Sequence, residues 1–125
     1  MPIPTQTVLI VDDDEMWRML ARVALGRAGF RCEECGSVKE AMTVLAREPV
    51  FCIVTDLLMP ELDGLDLCRM VRANPEFADT PIIVMTSSID EAEHRTAREA
   101  GAHTTLRKDV EFKQVVSAVR FSRNP

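Results

Sequence analysis

The chain has 125 residues, of which 46% are hydrophobic, so it is long enough for one sizeable core and short for two. Its formal net charge of −5 and its pI of about 5.0 give no general attraction to nucleic acid or to an anionic membrane surface. The apolar runs are far shorter than the roughly 18 to 20 residues that span a bilayer. We expect a soluble, cytoplasmic, single domain over residues 1–125, with a core at about residues 6–121, short tails, and no direct binding to nucleic acid or membrane.

The first third of the chain alternates strand and helix patterns. Residues 7–11 form the continuous apolar run that is typical of a buried strand. Residues 15–28 have helical periodicity and are stopped by Gly29. The stripe of this helix that is predicted to face the core consists of Met16, Leu20, Val23 and Ala24. Residues 30–35 are more polar and predict a short strand at the edge of a sheet.

The middle of the chain predicts the centre of the sheet. Ser37 is a suitable N-cap for a helix that Pro49 closes. The apolar residues of that helix have helical spacing and are Val38, Ala41, Met42 and Leu45. Residues 50–55 are an apolar run, which predicts a central strand covered on both faces. A loop rich in turn residues follows at 56–63.

The remaining pattern completes five strands and five helices. Residues 64–73 predict a helix that ends before Asn74-Pro75. Further along are a buried strand at 81–85, a charged helix at 90–100 ended by Gly101, a short strand at 103–106, and a helix with apolar residues at Phe112, Val115, Val116 and Val119. Residues after Phe121 predict a frayed tail. Regular alternation of this kind predicts an α/β domain with a mostly parallel sheet and helices on both faces.

Four cysteines raise the question of a disulfide or a metal site. Cys32 and Cys35 have the spacing of redox and zinc motifs. In a strand, however, residues three apart point to opposite faces and cannot clamp one ion. Cys52 lies inside an apolar run, where a thiol behaves as a small hydrophobic group. We therefore predict structural cysteines.

Polar side chains follow four of the five predicted strands. They are Asp12-Asp13-Asp14, Asp56, Thr86-Ser87-Ser88 and Lys108. In an open parallel sheet, ligands bind outside the carboxyl ends of the strands. If the first, third, fourth and fifth strands lie side by side, these side chains meet at one rim.

Each residue type has a chemical task at such a rim. Close carboxylates repel one another and raise their pKa values unless a cation shares the charge. Mg²⁺, or Mn²⁺ in its place, suits Asp12, Asp13 and Asp56. Lys108 and Thr86 supply a positive charge and a hydroxyl donor to phosphoryl oxygens, which leaves Asp56 as the nucleophile. Asp14 is assigned as a helix cap.

Several stretches of the chain match a known family. They are Val8-Leu9-Ile10-Val11-Asp12-Asp13, Asp56-Leu57-Leu58-Met59-Pro60-Glu61-Leu62-Asp63-Gly64, residues 81–86, and Ala100-Gly101-Ala102. Together they resemble the receiver domains of two-component response regulators, including the chemotaxis regulators. The resemblance implies a flavodoxin-like (βα)5 doubly wound sandwich with a five-stranded parallel sheet of order 2-1-3-4-5.

The resemblance also implies a function. A histidine kinase or histidine phosphotransfer protein would phosphorylate Asp56, with Asp13, Asp56 and the Leu58 carbonyl binding Mg²⁺ and Asp12 acting partly through water. Thr86 would move toward the phosphate and alter the surface of the fourth helix, fifth strand and fifth helix, which binds a downstream protein or an output domain of a longer chain. Such a domain is a signalling switch that catalyses only its own phosphorylation and dephosphorylation.

Two positions differ from the family pattern. Thr105 stands where the family commonly has an aromatic switch residue, so coupling through a buried aromatic rotamer is not expected. Asp109 follows Lys108 where the family usually has a cis proline. Because a cis bond is costly for any other residue, we predict a trans bond here.

The sequence is also compatible with two other functions. One is an interaction module that never takes phosphate. Another is a Mg²⁺-dependent phosphohydrolase with an aspartyl-phosphate intermediate, although such enzymes carry an acid where this chain has Leu58. Trp17 is assigned to packing, and His94 and His103 to solvated positions. The charged residues of the helix at 90–100 predict a solvated face with local ion pairs, or alternatively a partner surface.

Overall fold

The computed structural model describes residues 6–123, so the expected tails at 1–5 and 124–125 lie outside the described residues. Strands and helices alternate along the chain. The order is β1 (Thr7–Val11), α1 (Glu15–Arg27), β2 (Arg31–Cys35), α2 (Val38–Arg47), β3 (Cys52–Asp56), α3 (Gly64–Ala73), β4 (Ile82–Thr86), α4 (Glu91–Ala100), β5 (Thr104–Arg107) and α5 (Phe112–Arg120). The predicted elements are therefore confirmed, with boundaries that shift by up to two residues.

The five strands form one parallel sheet in the order β2-β1-β3-β4-β5. In the registers of the central pairs, Val11 lies beside Thr55, and Asp56 lies beside Met85. The predicted doubly wound fold and its 2-1-3-4-5 order are confirmed. Because all strands run in one direction, the residues that follow β1, β3, β4 and β5 meet at one edge.

Helices cover both faces of the sheet, and each face has its own core. Alternate strand residues point to opposite faces. Leu9 and Ile53 pack with α2, α3 and α4, whereas Ile10 and Val54 pack with α1 and α5. These strand residues are fully buried, which explains the continuous apolar runs in the sequence. No helix within residues 6–123 combines the length and hydropathy that crossing a membrane requires.

The buried face of α1 differs from the prediction. Met16, Leu20 and Val23 are exposed, and Met16 keeps 60% of its surface accessible. The residues that face the sheet are Trp17, Ala21, Leu25 and Ala28. The helix carries apolar side chains on two sides, so periodicity alone did not distinguish them. The small side chains of Ala21 and Ala28 face the core, while the larger side chains of Met16 and Leu20 face outward.

Residues 122 and 123, which follow α5, are fixed by burial and hydrogen bonds, whereas the sequence predicted a frayed tail after Phe121. Ser122 is buried, and its hydroxyl donates to the Val119 carbonyl at 2.8 Å. The Arg123 guanidinium donates to the carbonyls of Phe51 and Val50 at 3.0 and 3.2 Å. These bonds join the end of the described chain to the residues just before β3.

The four cysteines are free thiols, as predicted. Cys32 and Cys35 lie on opposite faces of β2, where Cys35 belongs to one core and Cys32 packs against the other. Burial raises the pKa of Cys52 to about 12 and the pKa of the other three to about 11. The thiols are therefore protonated at neutral pH and act as small hydrophobic groups.

Candidate functional site

Three aspartates meet at the carboxyl edge of the sheet. Asp12 and Asp13 follow β1, and Asp56 is the last residue of β3 rather than the first of the loop. Because β1 and β3 are paired in parallel, their ends bring these residues side by side. One carboxylate oxygen from each lies within 4.8 Å of the other two. Asp12 is fully buried, Asp56 is half-buried and Asp13 is exposed.

Lys108 provides the positive charge of this cluster. Its Nζ lies 2.6 Å from Asp12 Oδ2 and 3.4 Å from Asp56 Oδ1. Its main-chain N–H donates to the Thr86 carbonyl at 2.7 Å, which fixes the end of β5 to the end of β4. Burial opposes the charge of Lys108, but the hydrogen bond to Asp12 and the charges of Asp12 and Asp56 together raise its pKa above the ordinary value. Lys108 therefore carries the positive charge of the cluster at neutral pH.

The charges at the site do not balance. Three carboxylates face one ammonium group, and burial followed by the negative charge of Asp12 raises the pKa of Asp56 above its ordinary value, against the opposing effect of Lys108. An additional cation would relieve this repulsion. The donor set of carboxylate oxygens at this separation suits a hard divalent ion such as Mg²⁺.

Both carboxylate oxygens of Asp12 accept hydrogen bonds within the protein. Oδ2 accepts from Lys108, and Oδ1 accepts from the Asp14 main-chain N–H at 2.9 Å. The carboxylate of Asp13 has no hydrogen-bond partner among residues 6–123. This difference agrees with direct ion contact by Asp13 and Asp56 and water-mediated contact by Asp12, which stay predictions. Asp14 caps α1 as predicted, accepting from the main-chain N–H groups of Met16 and Trp17.

The backbone of Asp56 is fixed by the start of α3. The Gly64 N–H donates to the Leu57 carbonyl at 2.8 Å. A Cβ at Gly64 would lie only 2.6 Å from the Asp56 carbonyl oxygen, so this close approach requires glycine. Asp63 caps the helix through a capping box with Asp66. The loop between Asp56 and Gly64 contains Leu58, whose side chain is exposed. That the Leu58 carbonyl binds Mg²⁺ stays a prediction.

Thr86 lies at the same edge but engages α4. Its Oγ1 accepts from the Ser88 N–H at 3.1 Å and donates to Glu93 Oε1 at 3.4 Å. Within the described residues, no hydrogen bond joins its hydroxyl to Asp56 or Lys108. The strand ends therefore bring Thr86 to the site as expected, with its hydroxyl directed to the loop after β4.

His94 is not the solvated residue that its charged helix predicted. It is half-buried, with Nδ1 at 2.6 Å from Thr105 Oγ1 and Nε2 at 2.9 Å from the Ser88 carbonyl oxygen. Thr105 lies on β5, so His94 bridges α4 to this strand and to the loop after β4. Spacing along one helix carried no sign of these partners, because both lie on other elements.

His103, by contrast, is exposed as predicted. Glu91 and Arg98 form the expected ion pair on α4, at 2.6 Å.

Two further residues support the site. The Arg18 guanidinium donates to the Asp12 carbonyl at 2.6 Å, a contact that sequence reasoning missed because nothing in the sequence relates Arg18 to a strand end. Trp17 has the packing role predicted for it. Its ring centroid lies 5.5 Å from that of Phe112, and Lys108 Nζ lies 5.2 Å from the centroid of the indole. Trp17 therefore also borders the candidate site.

The bond after Lys108 is trans, because residues 6–123 contain no cis peptide bond. The prediction for Asp109 is confirmed. The Asp109 carboxylate pairs with Arg107 at 2.6 Å.

Comparison with known proteins places this geometry in a family. The family model of the response regulator receiver domain matches residues 8–120. The chain is 31% identical over 115 residues to the transcriptional regulatory protein GltR of Pseudomonas aeruginosa, covering 92% of this chain and 48% of that protein. It is 33% identical over 113 residues to the response regulator MprA of Mycobacterium leprae, covering 90% and 49%. The chain thus spans about half the length of these curated relatives.

A solved structure agrees with the sequence relatives. The response regulator receiver protein from Pseudomonas putida superposes with a TM-score of 0.87 at 28% identity, covering 95% of this chain and 98% of that one. The chain belongs to the response regulator receiver domain family of two-component systems. It is a signalling domain rather than a conventional enzyme, and the general function of its family is a phosphorylation switch.

Proposed function

We propose that Asp56 is the phosphoryl acceptor of a Mg²⁺-dependent switch formed by this chain as one receiver domain, with a core over residues 6–121. The observation that carries the proposal is the grouping of Asp12, Asp13, Asp56 and Lys108 at one edge of the sheet. The partly buried Asp56 carboxylate lies beside the Lys108 ammonium group, at 3.4 Å. A histidine kinase or a histidine phosphotransfer protein would be the donor in the cytoplasm.

The transfer follows from the charges at the site. An Asp56 Oδ atom attacks the phosphorus of a phosphohistidine, a P–O bond forms while the P–N bond breaks, and the imidazole leaves with the electron pair and takes up a proton. Lys108 then pairs with a phosphoryl oxygen, and the Thr86 hydroxyl donates to another. Asp13, Asp56 and the Leu58 carbonyl would hold Mg²⁺, or Mn²⁺, with Asp12 acting through water. When bound there, such an ion would offset negative charge on the transferred group.

The output of the switch is proposed to be the surface of α4, β5 and α5. Movement of Thr86 toward the phosphate would alter the loop that leads into α4, because Ser88 and Glu93 both bond to its hydroxyl. GltR is a transcriptional regulatory protein about twice as long as the matched region. The target of this chain is accordingly a downstream protein, or an output domain where the chain is part of a longer regulator.

Phosphorylation by a small donor tests the proposal. The protein is incubated with Mg²⁺ and acetyl phosphate, and intact mass is recorded beside an Asp56→Asn variant. Beryllofluoride binding is followed in parallel by fluorescence of Trp17, which borders Lys108. The proposal predicts one added phosphoryl group and a fluorescence change, both dependent on Mg²⁺ and both lost in Asp56→Asn.

Other outcomes identify the remaining alternatives. Rapid turnover of assorted phosphate esters would indicate a phosphohydrolase. A protein without an adduct and without a response to Mg²⁺ would be a phosphorylation-independent interaction module. Either result contradicts the proposed switch.

A further inference from the structure

One imidazole joins three elements next to the candidate site. His94 Nε2 lies 2.9 Å from the Ser88 carbonyl oxygen, and His94 Nδ1 lies 2.6 Å from Thr105 Oγ1. A carbonyl oxygen can only accept, so Nε2 carries the hydrogen of this bond. In the neutral ring, Nδ1 then accepts the Thr105 hydroxyl hydrogen. The ring thus connects α4 with β5 and with the loop between β4 and α4.

The same loop residue also holds the Thr86 hydroxyl. The Ser88 N–H donates to Thr86 Oγ1 at 3.1 Å, while the Ser88 carbonyl accepts from His94. Thr86 Oγ1 in turn donates to Glu93 Oε1 at 3.4 Å. Ser88 is therefore fixed from both sides, and its position directs the Thr86 hydroxyl toward α4.

We propose that His94 is a positioning residue that holds the loop between β4 and α4 in the resting arrangement of the switch. The inference rests on the proposed function and names the restraint that phosphorylation of Asp56 has to overcome. For the Thr86 hydroxyl to donate to a phosphoryl group, it has to leave Glu93, and the loop that carries Ser88 has to follow. The bonds from His94 oppose that movement. Position 105, which has no aromatic side chain in this protein, contributes a hydroxyl to this restraint.

Hydrogen exchange of the unphosphorylated protein tests the restraint directly. Wild type is compared with His94→Ala and with Thr105→Val, which removes the hydroxyl at nearly constant shape. Arg95→Ala, an exposed neighbour on the same helix, is the control. We expect amide exchange over residues 86–93 to accelerate about fivefold in the first two variants, the factor that corresponds to a net hydrogen bond of about 1 kcal/mol. Equal exchange in wild type and His94→Ala would overturn the inference.

Beryllofluoride affinity in the presence of Mg²⁺ tests the consequence for the switch. If His94 restrains the resting loop, His94→Ala and Thr105→Val bind beryllofluoride about fivefold more tightly, while affinity for Mg²⁺ alone is unchanged. Thr105→Ser, which keeps the hydroxyl, should return to the wild-type value. The double variant should bind no more tightly than His94→Ala alone, because the Thr105 hydroxyl acts on the loop only through its bond to His94.

The direction of the change in beryllofluoride affinity distinguishes a positioning role of His94 from simple stabilisation of the fold. A histidine that merely stabilised the fold would lower both the melting temperature and the beryllofluoride affinity when removed. Unchanged or weaker affinity in His94→Ala and Thr105→Val therefore overturns the inference. A wild-type protein that binds no beryllofluoride contradicts the proposed function instead, and the exchange experiment then decides on the restraint alone.

Discussion

Replacing Asp56 with asparagine is expected to stabilise the protein in the absence of metal. At an effective dielectric constant of about 20, Asp12 repels Asp56 by at least about 3.5 kcal/mol over their separation of no more than 4.8 Å. Lys108 attracts Asp56 by about 4.9 kcal/mol over 3.4 Å. The exposed Asp13 is screened by water and adds about 1 kcal/mol of repulsion. At the longest separation of 4.8 Å the pairwise energies nearly cancel, and at any shorter one repulsion is larger, so burial of the Asp56 carboxylate adds to a balance that is not favourable to its charge.

The raised pKa of Asp56 gives the direction of the effect, because burial and Asp12 make its ionised form unfavourable in the folded state. We expect Asp56→Asn to raise the free energy of unfolding by about 1 kcal/mol at neutral pH. The native protein binds this proton more tightly than the unfolded chain. The advantage of asparagine is therefore fully present above the raised pKa, and it is lost as the pH falls to the ordinary carboxyl range.

Urea denaturation in EDTA and in Mg²⁺ measures both effects. Binding of Mg²⁺ at one hundred times its dissociation constant stabilises wild type by about 2.7 kcal/mol, and Asp56→Asn should gain much less. The order of stability should therefore reverse when Mg²⁺ is added. Asp109→Asn, which removes an exposed carboxylate that pairs with Arg107, is the control and should change little. Two results would contradict this prediction. One is that wild type is more stable than Asp56→Asn in EDTA, and the other is that Mg²⁺ stabilises both proteins equally.

Further predictions concern the ion pair, a glycine and the thiols. Lys108→Ala should cost about 3 kcal/mol in metal-free urea denaturation by leaving buried Asp12 without its cation, and a cost near zero would contradict the pairing. Gly64→Ala should cost about 2 kcal/mol because its Cβ meets the Asp56 carbonyl, whereas Gly26→Ala, with open space, should gain about 0.5 kcal/mol; equal effects would contradict this packing. The buried thiols of Cys35, Cys52 and Cys68 should react slowly with a thiol reagent in the native protein and rapidly in urea, and fast native reaction would contradict their burial.

The element order and the location of the candidate site could be predicted from local patterns. Runs such as residues 8–11 and 82–85 are apolar because both faces of these strands are covered. In a parallel sheet such strands end at one edge, which brings the residues after them together without any knowledge of loop conformation. With the strand order that the family resemblance implies, the grouping of Asp12, Asp56 and Lys108 follows from this rule.

The predictions that were wrong depended on contacts between elements. The helix α1 has apolar residues on two sides, and the sheet receives Ala21 and Leu25 rather than Met16 and Leu20. His94 lies on a charged helix, yet its partners come from β5 and from the loop after β4. Neither result follows from spacing along one helix. Both depend on how far each helix is rotated about its own axis when it packs.

Chemical trapping of the phosphorylated side chain identifies which aspartate accepts the phosphoryl group. After incubation with Mg²⁺ and acetyl phosphate, borohydride reduces an aspartyl phosphate to homoserine, and peptide mass spectrometry locates the converted residue. We expect homoserine at position 56, dependent on Mg²⁺, with Asp12 and Asp13 unchanged. Conversion at another aspartate, or phosphorylation of the protein without conversion of Asp56, would contradict it.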